Sequence, residues 1–399
     1  MNLTLAKLID RWGGMVACRV LAGLRLAREA LRPRTELVEP RTILLVKFWG
    51  LGNIVLLLPV VRLLRKRYPE ARLVFVSLAR NRELLDACDD LDERLYVDDR
   101  NAAALAWTLL RAVLRAARRH PDLCVDFEQF ARASLVLAVL ARTRQIVGLD
   151  TPGQNRGLLL HKSVPYDDTQ HMGQTYLDLA RAAGVPERRY RPEAPPLSDA
   201  GRAEARAVLG PLAAAPGPLV VLHPGSGDNF QGRRWPADAF ARLARRLVDD
   251  DDARVVVTGA GAERELTARV TALAERPGRV IDAGGRLRIA GLTALLDGAA
   301  ALVTNDTAPV HFGSALGVPV FAFFGPNTPR LYGPLSRGSH AFYRALPCSP
   351  CLTNMNYKTS LCRMPVCIRD ISVEEVEVRV RAHLAELRAS GAAVLRTGS

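Results

Sequence analysis

The feature that most limits the fold is an alternation of short β-prone apolar runs with helical stretches, carried through twice along the chain. In the first series the runs are Thr42–Val46, Leu73–Ser77, Arg94–Val97, Leu123–Phe127 and Gln145–Gly148, separated by helical stretches such as Leu57–Tyr68 and Ala102–Arg119. The second series holds Leu219–Leu222, Arg254–Thr258, Arg279–Ile281, Ala301–Thr304 and Val318–Phe324. Repeated strand–helix alternation closes as a parallel sheet with helices on both faces. Between the series, Arg191 to Ser198 (RPEAPPLS) carries three prolines and no periodicity, and reads as a linker. A chain of 399 residues exceeds one ordinary core. The prediction is α/β: two Rossmann-like domains, 41–190 and 199–387, joined by linker 191–198, their parallel sheets facing across a cleft. Ser372-Val-Glu-Glu375 is a capping box that opens a final helix, Val373 to about Leu387.

The formal charge of +14 suits nucleic acid, an anionic membrane face or a phosphorylated substrate. There is no zinc-finger spacing, RNA-binding aromatic motif or basic-region heptad, and aromatics make up only 6%, so nucleic acid is not expected. No apolar run approaches the ~20 residues of a membrane-spanning helix. Nor does a charged start lead into an apolar core with a small-residue cleavage site, so no secretory signal is read. The expected place is the cytoplasm, with peripheral attachment to the inner face of its membrane. Residues 1–40 interleave Lys7, Arg11, Arg19, Arg25, Arg28, Arg32 and Arg34 with Leu5, Leu8, Ile9, Val16, Val20, Leu21 and Leu24. That helical spacing is what an interfacial helix on an anionic membrane surface needs. It equally fits a helix packed on the domain, its arginine stems covering apolar area.

Chemistry is expected where strands run straight into helices. In Ala301–Pro329 (ALVTNDTAPVHFGSALGVPVFAFFGPNTP), Asn305, Asp306 and Thr307 offer capping oxygens before a helix running from Pro309 to Leu316 and stopping at Gly317. Such a helix start leaves N–H groups and partial positive charge at the strand's carboxyl end, where open α/β sheets bind phosphates. Asp306 and His311 flank that spot; the simpler reading is a cap and a packed ring. His223-Pro-Gly225-Ser226-Gly227 follows another strand, and Arg233-Arg234-Trp235 precedes a helix. The glycines permit close approach of an anion, Ser226 adds a hydroxyl, and the arginines neutralise a diphosphate. Glu263, in Gly259-Ala-Gly261-Ala-Glu263, stands where a carboxylate accepts ribose hydroxyls, or serves as a helix N-terminal charge.

Two common nucleotide sites are disfavoured. Gly50-Leu-Gly52-Asn53 is a glycine-rich strand-to-helix turn, but Val55 stands where a dinucleotide fingerprint has its third glycine. The second strand ends at Ser77 rather than at an acidic residue, which disfavours a nicotinamide dehydrogenase. No Walker lysine motif is present, which disfavours a P-loop NTPase. Cys348, Cys351, Cys362 and Cys367 lie within 20 residues. Four thiolates at this spacing can hold a structural zinc or iron, or remain free thiols; without a secretion signal disulfides are the poorer reading.

These landmarks, in this order, resemble glycosyltransferase family 9, the ADP-heptose:lipopolysaccharide heptosyltransferases and their relatives. The resemblance spans roughly Arg41 to Ala382 and implies the GT-B fold and transfer with inversion, without a catalytic metal. NDTAPVH followed by ALGVPVFAFFGPNTP matches the family's D-S/T-G-x-x-H and ALGxPxxxLFGPT. By that match Asp306, Thr307, Ala308 and His311 meet the sugar and diphosphate. HPGSG with RRW resembles the phosphate-binding loop, Arg233 standing at the usual lysine, and Glu263 resembles the ribose carboxylate. His171, followed by Tyr176-Leu177, is similar to an H-x4-YL pattern of the first half. The family's first loop reads G-D-x-x-x-S/T-x-P, its Asp being the proposed base. Here the loop is Gly52-Asn53-Ile-Val-Leu-Leu-Leu58-Pro59, and an amide positions a hydroxyl but takes no proton. Asp126 and Glu128 are the expected replacements. The implied partners are a nucleotide sugar, ADP-heptose first, and a lipid-linked glycan acceptor. A different donor, a protein acceptor or a non-catalytic sugar-nucleotide binder are the alternatives that Asn53 leaves open.

Overall fold

The computed structural model describes residues 13–23, 39–227, 230–353, 355–356 and 358–390. The chain forms two compact units, Met1–Arg191 and Pro192–Ser399.

Unit 1 holds β1 (Thr42–Val46), β2 (Arg72–Leu78), β3 (Glu93–Val97), β4 (Leu123–Asp126), β5 (Gln145–Asp150) and β6 (Lys162–Pro165). Unit 2 holds β7 (Leu219–His223), β8 (Arg254–Val257), β9 (Val280–Asp282), β10 (Ala301–Asn305), β11 (Val320–Phe324) and β12 (His340–Tyr343). The sheet orders are β3-β2-β1-β4-β5-β6 and β12-β11-β10-β7-β8-β9, every pair parallel. Each sheet is wound outwards in both directions from its middle, as in a doubly wound dinucleotide fold. Strands β1, β4, β7, β10 and β11 are buried along their whole length and therefore read as continuous apolar runs.

Two strands escaped the sequence reading, β6 and β12. Both close an edge, and β6 is largely exposed with the sequence KSVP, so no apolar run announces it. The first helix was expected from Leu57 but begins at Leu51 and runs to Arg67, with Gly52, Ile54 and every residue from Val55 to Val61 buried. A helix apolar all round has no 3.6-residue period to mark its start. Gly52 and Asn53 thus sit in its first turn, not in a loop. Gly50 turns the chain into it at φ +88, and a Cβ there would lie 2.6 Å from Asn53 Nδ2, so only glycine fits.

In unit 2 the carboxyl end of the sheet is locked by Trp235. Its ring stacks on Phe323 at 4.5 Å and its Nε1 donates to Ile371 O (2.8 Å). Fully burying such a ring contributes about 2–3 kcal/mol. The final helix, Val373–Ala389, is capped by Ser372, whose Oγ accepts from Glu375 N, but the expected box is only half made, because the Glu375 carboxylate pairs with Arg344.

Of the basic N-terminal segment, residues 13–23 are helical. Cys18 and Ala22 pack into the unit 1 core, while Val16 and Val20 remain 63% and 57% exposed. Lys7, Arg11, Arg25, Arg28, Arg32 and Arg34 lie outside the described residues. Among the described residues no helix is long and apolar enough to cross a membrane.

Candidate functional site

Ligands of doubly wound sheets bind beyond the carboxyl ends of the strands, where the strand order reverses. In unit 2 that point lies between β7 and β10. From β7 come Gly225, Ser226 and Gly227; from β10 come Asn305, Asp306, Thr307 and Ala308. Asn305 ties the two together: its Nδ2 donates to Pro224 O (2.7 Å) and Gly225 O, and its Oδ1 accepts from Trp235 N (2.8 Å). Arg233 spans the gap. Its Nη1 donates to Asp306 O (2.9 Å) and its Nη2 to Ser226 O (2.7 Å), with Asp306 Oδ2 at 3.5 Å. The remaining donor, Nε, is buried with no hydrogen-bond partner among the described residues. A buried orphaned guanidinium N–H is costly unless something else fills it.

Glu263 organises the loop rather than standing apart from it. Its Oε1 accepts from Ser226 N and Gly227 N (3.0 Å each), and its Oε2 from Ala260 N (3.0 Å). A Cβ on Gly225 would lie 2.3 Å from both carboxylate oxygens, so that glycine is fixed by the carboxylate. Burial works to raise the Glu263 carboxyl, but these N–H donors, with His223, hold it below its ordinary value. His223 lies 4.0 Å away, and burial drives its imidazole down to about 4, against the pull of Glu263. The pair is therefore an anion beside a neutral ring at pH 7. Arg234, 3.7 Å from Glu263, supplies the cation instead and donates to Ser226 Oγ.

The capping expected of Asn305, Asp306 and Thr307 is not made. The Pro309–Leu316 helix has Ala308 at its N-cap and no side-chain cap. Asn305 serves Trp235, and Asp306 Oδ2 accepts from Asn327 Nδ2 (3.0 Å). His311 is buried in that helix, its ring 6.2 Å from Tyr332. Ser226, Gly227, Arg233, Glu263, Asp306, Thr307, Ala308 and His311 thus come together at one sheet end. Asn327, and Lys358 which reaches it at 3.2 Å, belong to the same cluster and were not anticipated. Asn327 lies inside a quoted motif, GPNTP, and was passed over for the residues before it.

In unit 1 the corresponding point lies between β1 and β4. Asn53 faces it from the first helical turn, its Oδ1 buried with no partner among the described residues and its Nδ2 only 3.5 Å from Trp49 O. The expected replacement bases are not free to act as such. Glu128 is fully buried: Oε1 accepts from Phe48 N (2.7 Å) and Trp49 N, and Oε2 pairs with Lys47 (3.0 Å). Asp126 is equally buried, paired with Arg156 (2.7 Å) and accepting from Ser134 Oγ and Glu128 N. Burial raises the Asp126 carboxyl, Arg156 opposing. Both carboxylates are spent inside the unit: Glu128 holds the 47–49 turn, a positioning role, and Asp126 ties Arg156 and Ser134 to the Glu128 backbone. His171 caps the Met172–Ala182 helix, its Nδ1 accepting from Gly173 N (3.1 Å).

The cysteine segment packs against the turn after β11. Leu352 N donates to Pro326 O (2.6 Å), Ser349 Oγ to Gly325 O, and a Cβ on Gly325 would meet Cys367 Sγ at 2.7 Å. Cys348 and Cys362 are exposed, Cys351 half-buried and Cys367 buried. Among the described residues no group of three or more metal-binding side chains is set to hold a metal ion, while Cys351, Cys362 and Cys348 lie close enough to Cys367 to add to the upward push that burial gives its thiol. Backbone hydrogen bonds and the packing of Leu352 and Cys367 fix the segment against that turn.

The family profile described as Glycosyltransferase family 9 (heptosyltransferase) matches residues 111–361, well over half of the chain. The chain belongs to glycosyltransferase family 9. Lipopolysaccharide heptosyltransferase 1 of Pseudomonas aeruginosa is 34% identical over 134 residues, which cover 34% of this chain and 36% of that protein. The chain thus spans about a third of the length of such curated relatives, among them lipopolysaccharide heptosyltransferase 2 of Escherichia coli. The structure of E. coli ADP-heptose lps heptosyltransferase II superposes with a TM-score of 0.68 at 20% identity, covering 87% of this chain and 99% of that one. E. coli heptosyltransferase WaaC with ADP gives 0.64 at 18%, covering 86% and 99%. At these identities the structures establish the fold, GT-B, while the profile establishes the family to which the motifs around Asp306 pointed.

Proposed function

We propose that the chain transfers a heptose, with inversion, from ADP-heptose to a sugar hydroxyl of a lipopolysaccharide-type acceptor. Unit 2 holds the donor: Glu263 faces the ribose, and the diphosphate lies against the uncapped start of the Pro309–Leu316 helix, with the Ser226–Gly227 loop and Arg233. The observation that carries the reading is the buried Arg233 Nε, an unspent donor between Ser226 and Asp306. That WaaC was crystallised with ADP, and that its relative is called an ADP-heptose enzyme, support the choice of donor.

Unit 1 presents the alcohol, with Gly50 and Gly52 shaping the turn and His171, at the start of the Met172–Ala182 helix, as a further acceptor-side residue. Its oxygen attacks the anomeric carbon; the bond to the diphosphate breaks and ADP leaves with the electron pair. Arg233 and the helix terminus meet the charge that develops, an arrangement worth several kcal/mol of barrier. Asn53 Oδ1 accepts the hydrogen bond of the incoming hydroxyl and orients it. The proton is lost late, to solvent, since neither Asp126 nor Glu128 is placed to take it.

The lipid-linked acceptor brings the chain to an anionic membrane. On the Ala102–Arg118 helix, Trp107, Leu110 and Leu114 are 60%, 50% and 50% exposed on one face, flanked by Arg111, Arg115 and Arg118. An apolar stripe bordered by arginines is the signature of an interfacial helix. A second reading, a sugar-nucleotide binder without turnover, is favoured by Asn53 alone.

The test is incubation with ADP-, UDP- and GDP-sugars plus envelope extract, products read by mass. Release of ADP with a heptose-sized gain in a glycolipid is expected. Arg233→Ala should lower the rate roughly tenfold to a thousandfold. Unchanged binding and turnover in that variant would refute the site; binding without any transfer by the native chain would establish the second reading.

A further inference from the structure

The cysteine segment does more than wall the donor site. Between Cys351 and Cys362 it carries Lys358, whose Nζ donates to Asn327 Oδ1 (3.2 Å) and lies 4.7 Å from the centroid of the Tyr332 ring. Asn327 in turn donates to Asp306 Oδ2, which faces Arg233. A continuous path thus runs from Lys358 through Asn327, Asp306 and Arg233 to the Ser226 carbonyl. The lysine is half-buried, and among the described residues no carboxylate lies within ion-pair distance of it. One neutral acceptor and one ring face do not satisfy an ammonium with three donors. Its backbone is also left-handed at φ +56, a conformation a lysine adopts only where its surroundings hold it.

We propose that Lys358 is a further cation of the donor site, delivered by the cysteine segment to bind the diphosphate of the nucleotide sugar and of the departing ADP. This rests on the donor site proposed above and adds to it a residue and a pH dependence.

Burial pulls the ammonium down to about 8, Arg233 adding to the fall and Asp306 opposing it. The groups around it from the neighbouring elements are Asp306, Arg233, Asn327 and Tyr332, with His311 behind Tyr332. The sign follows. Below about pH 8 the lysine is charged and holds the anion; above it the free site loses its proton, and affinity falls as pH rises. The diphosphate of ADP is fully ionised above about pH 7.5, so it contributes no slope there.

The experiment is calorimetric titration of the full chain with ADP at pH 7.5 and 9.5, for the native protein, Lys358→Met and Lys358→Arg. A charged hydrogen bond contributes enough that Lys358→Met should bind ADP roughly tenfold to a hundredfold more weakly at pH 7.5. The native affinity should fall between the two pH values, whereas Lys358→Arg, charged throughout, should bind at both without that fall. Equal affinities for the native protein and Lys358→Met, or the native slope persisting in Lys358→Arg, would overturn the proposal while leaving the donor site standing. Failure of the native chain to bind ADP at either pH would overturn both. Should Lys358→Met fail to fold, the slope of Lys358→Arg decides alone.

Discussion

Replacing Asn53 by Asp should make the protein a faster transferase. The amide occupies the first turn of the Leu51–Arg67 helix, which has no acidic residue there and no side-chain cap. Its Oδ1 is buried and unpartnered among the described residues, and its Nδ2 is at the outer limit of a bond to Trp49 O. The carboxylate is nearly isosteric. Losing the long bond to Trp49 costs about 0.5–1 kcal/mol, and a negative charge at a helix start returns about 0.3–1 kcal/mol. These two roughly offset, so the net change in folding stability is the cost of desolvating the new charge at a half-buried position. A positioned general base contributes roughly a hundredfold to ten-thousandfold, about 3–5 kcal/mol of barrier, and Asp126 and Glu128 are committed to Arg156 and Lys47. The assay is single-turnover transfer to envelope acceptor across pH 4–8. Asn53→Asp should raise the rate at pH 7 by roughly tenfold or more. It should also show an acid limb where the new carboxyl protonates, raised by burial above the ordinary aspartate range, which the native chain lacks. An unchanged or lower rate, with ADP affinity and melting intact, would show that the hydroxyl proton leaves by another route or that the acceptor does not sit at this turn.

Two further outcomes are expected. Glu263→Gln removes an anion that accepts three backbone N–H groups and should destabilise the protein by about 2–4 kcal/mol while weakening ADP binding; a thermal melt and a titration check both. The lowered Glu263 carboxyl contributes stability that is fully present above its unfolded value, about 4.3, and is lost as pH falls through the folded value. The stabilities of the native chain and the Glu263→Gln variant should therefore converge below about pH 4, and persistence of the gap would refute the assignment. Trp107→Ala should weaken binding to anionic vesicles by roughly fivefold to thirtyfold, the worth of burying a mostly exposed large ring. Equal partitioning of both proteins would remove the membrane role from this helix.

Most of the fold was legible because parallel strands are buried on both faces and advertise themselves as apolar runs. The edge strands β6 and β12 were not, since KSVP and HAFY lack that pattern. The helix start at Leu51 was hidden for the opposite reason, uniform burial erasing its period. At the site, the glycines and Arg233 were readable from spacing, because close approach and positive charge leave signatures in sequence. Partner choice was not. Nothing in NDT tells that Asn305 serves Trp235 and Asp306 serves Asn327, leaving the helix uncapped. Nor does DFEQ tell that both its acids are consumed by Lys47 and Arg156. Lys358 was overlooked because the cysteines around it drew the reading towards metal.

The two units repeat one device with different charge, and the difference bears on the proposed allocation of substrates. In each, a buried carboxylate accepts N–H groups from the turn after the unit's first strand: Glu128 from Phe48 and Trp49, Glu263 from Ser226 and Gly227. Glu128 is neutralised within the core by Lys47, so the turn it holds offers only the amide of Asn53. Glu263 has at its side a histidine that stays neutral, and its cation, Arg234, comes from the loop itself. Arg233 and Lys358 then stand at the unit 2 site beyond what Asp306 can offset, since one carboxylate faces two cations. A neutral hydroxyl has no use for that excess, and a diphosphate would find nothing to bind at Asn53. The contrast supports the allocation proposed above, donor to unit 2 and alcohol to unit 1, which altering the charges, by Asn53→Lys or Lys358→Asn, should disrupt from opposite ends.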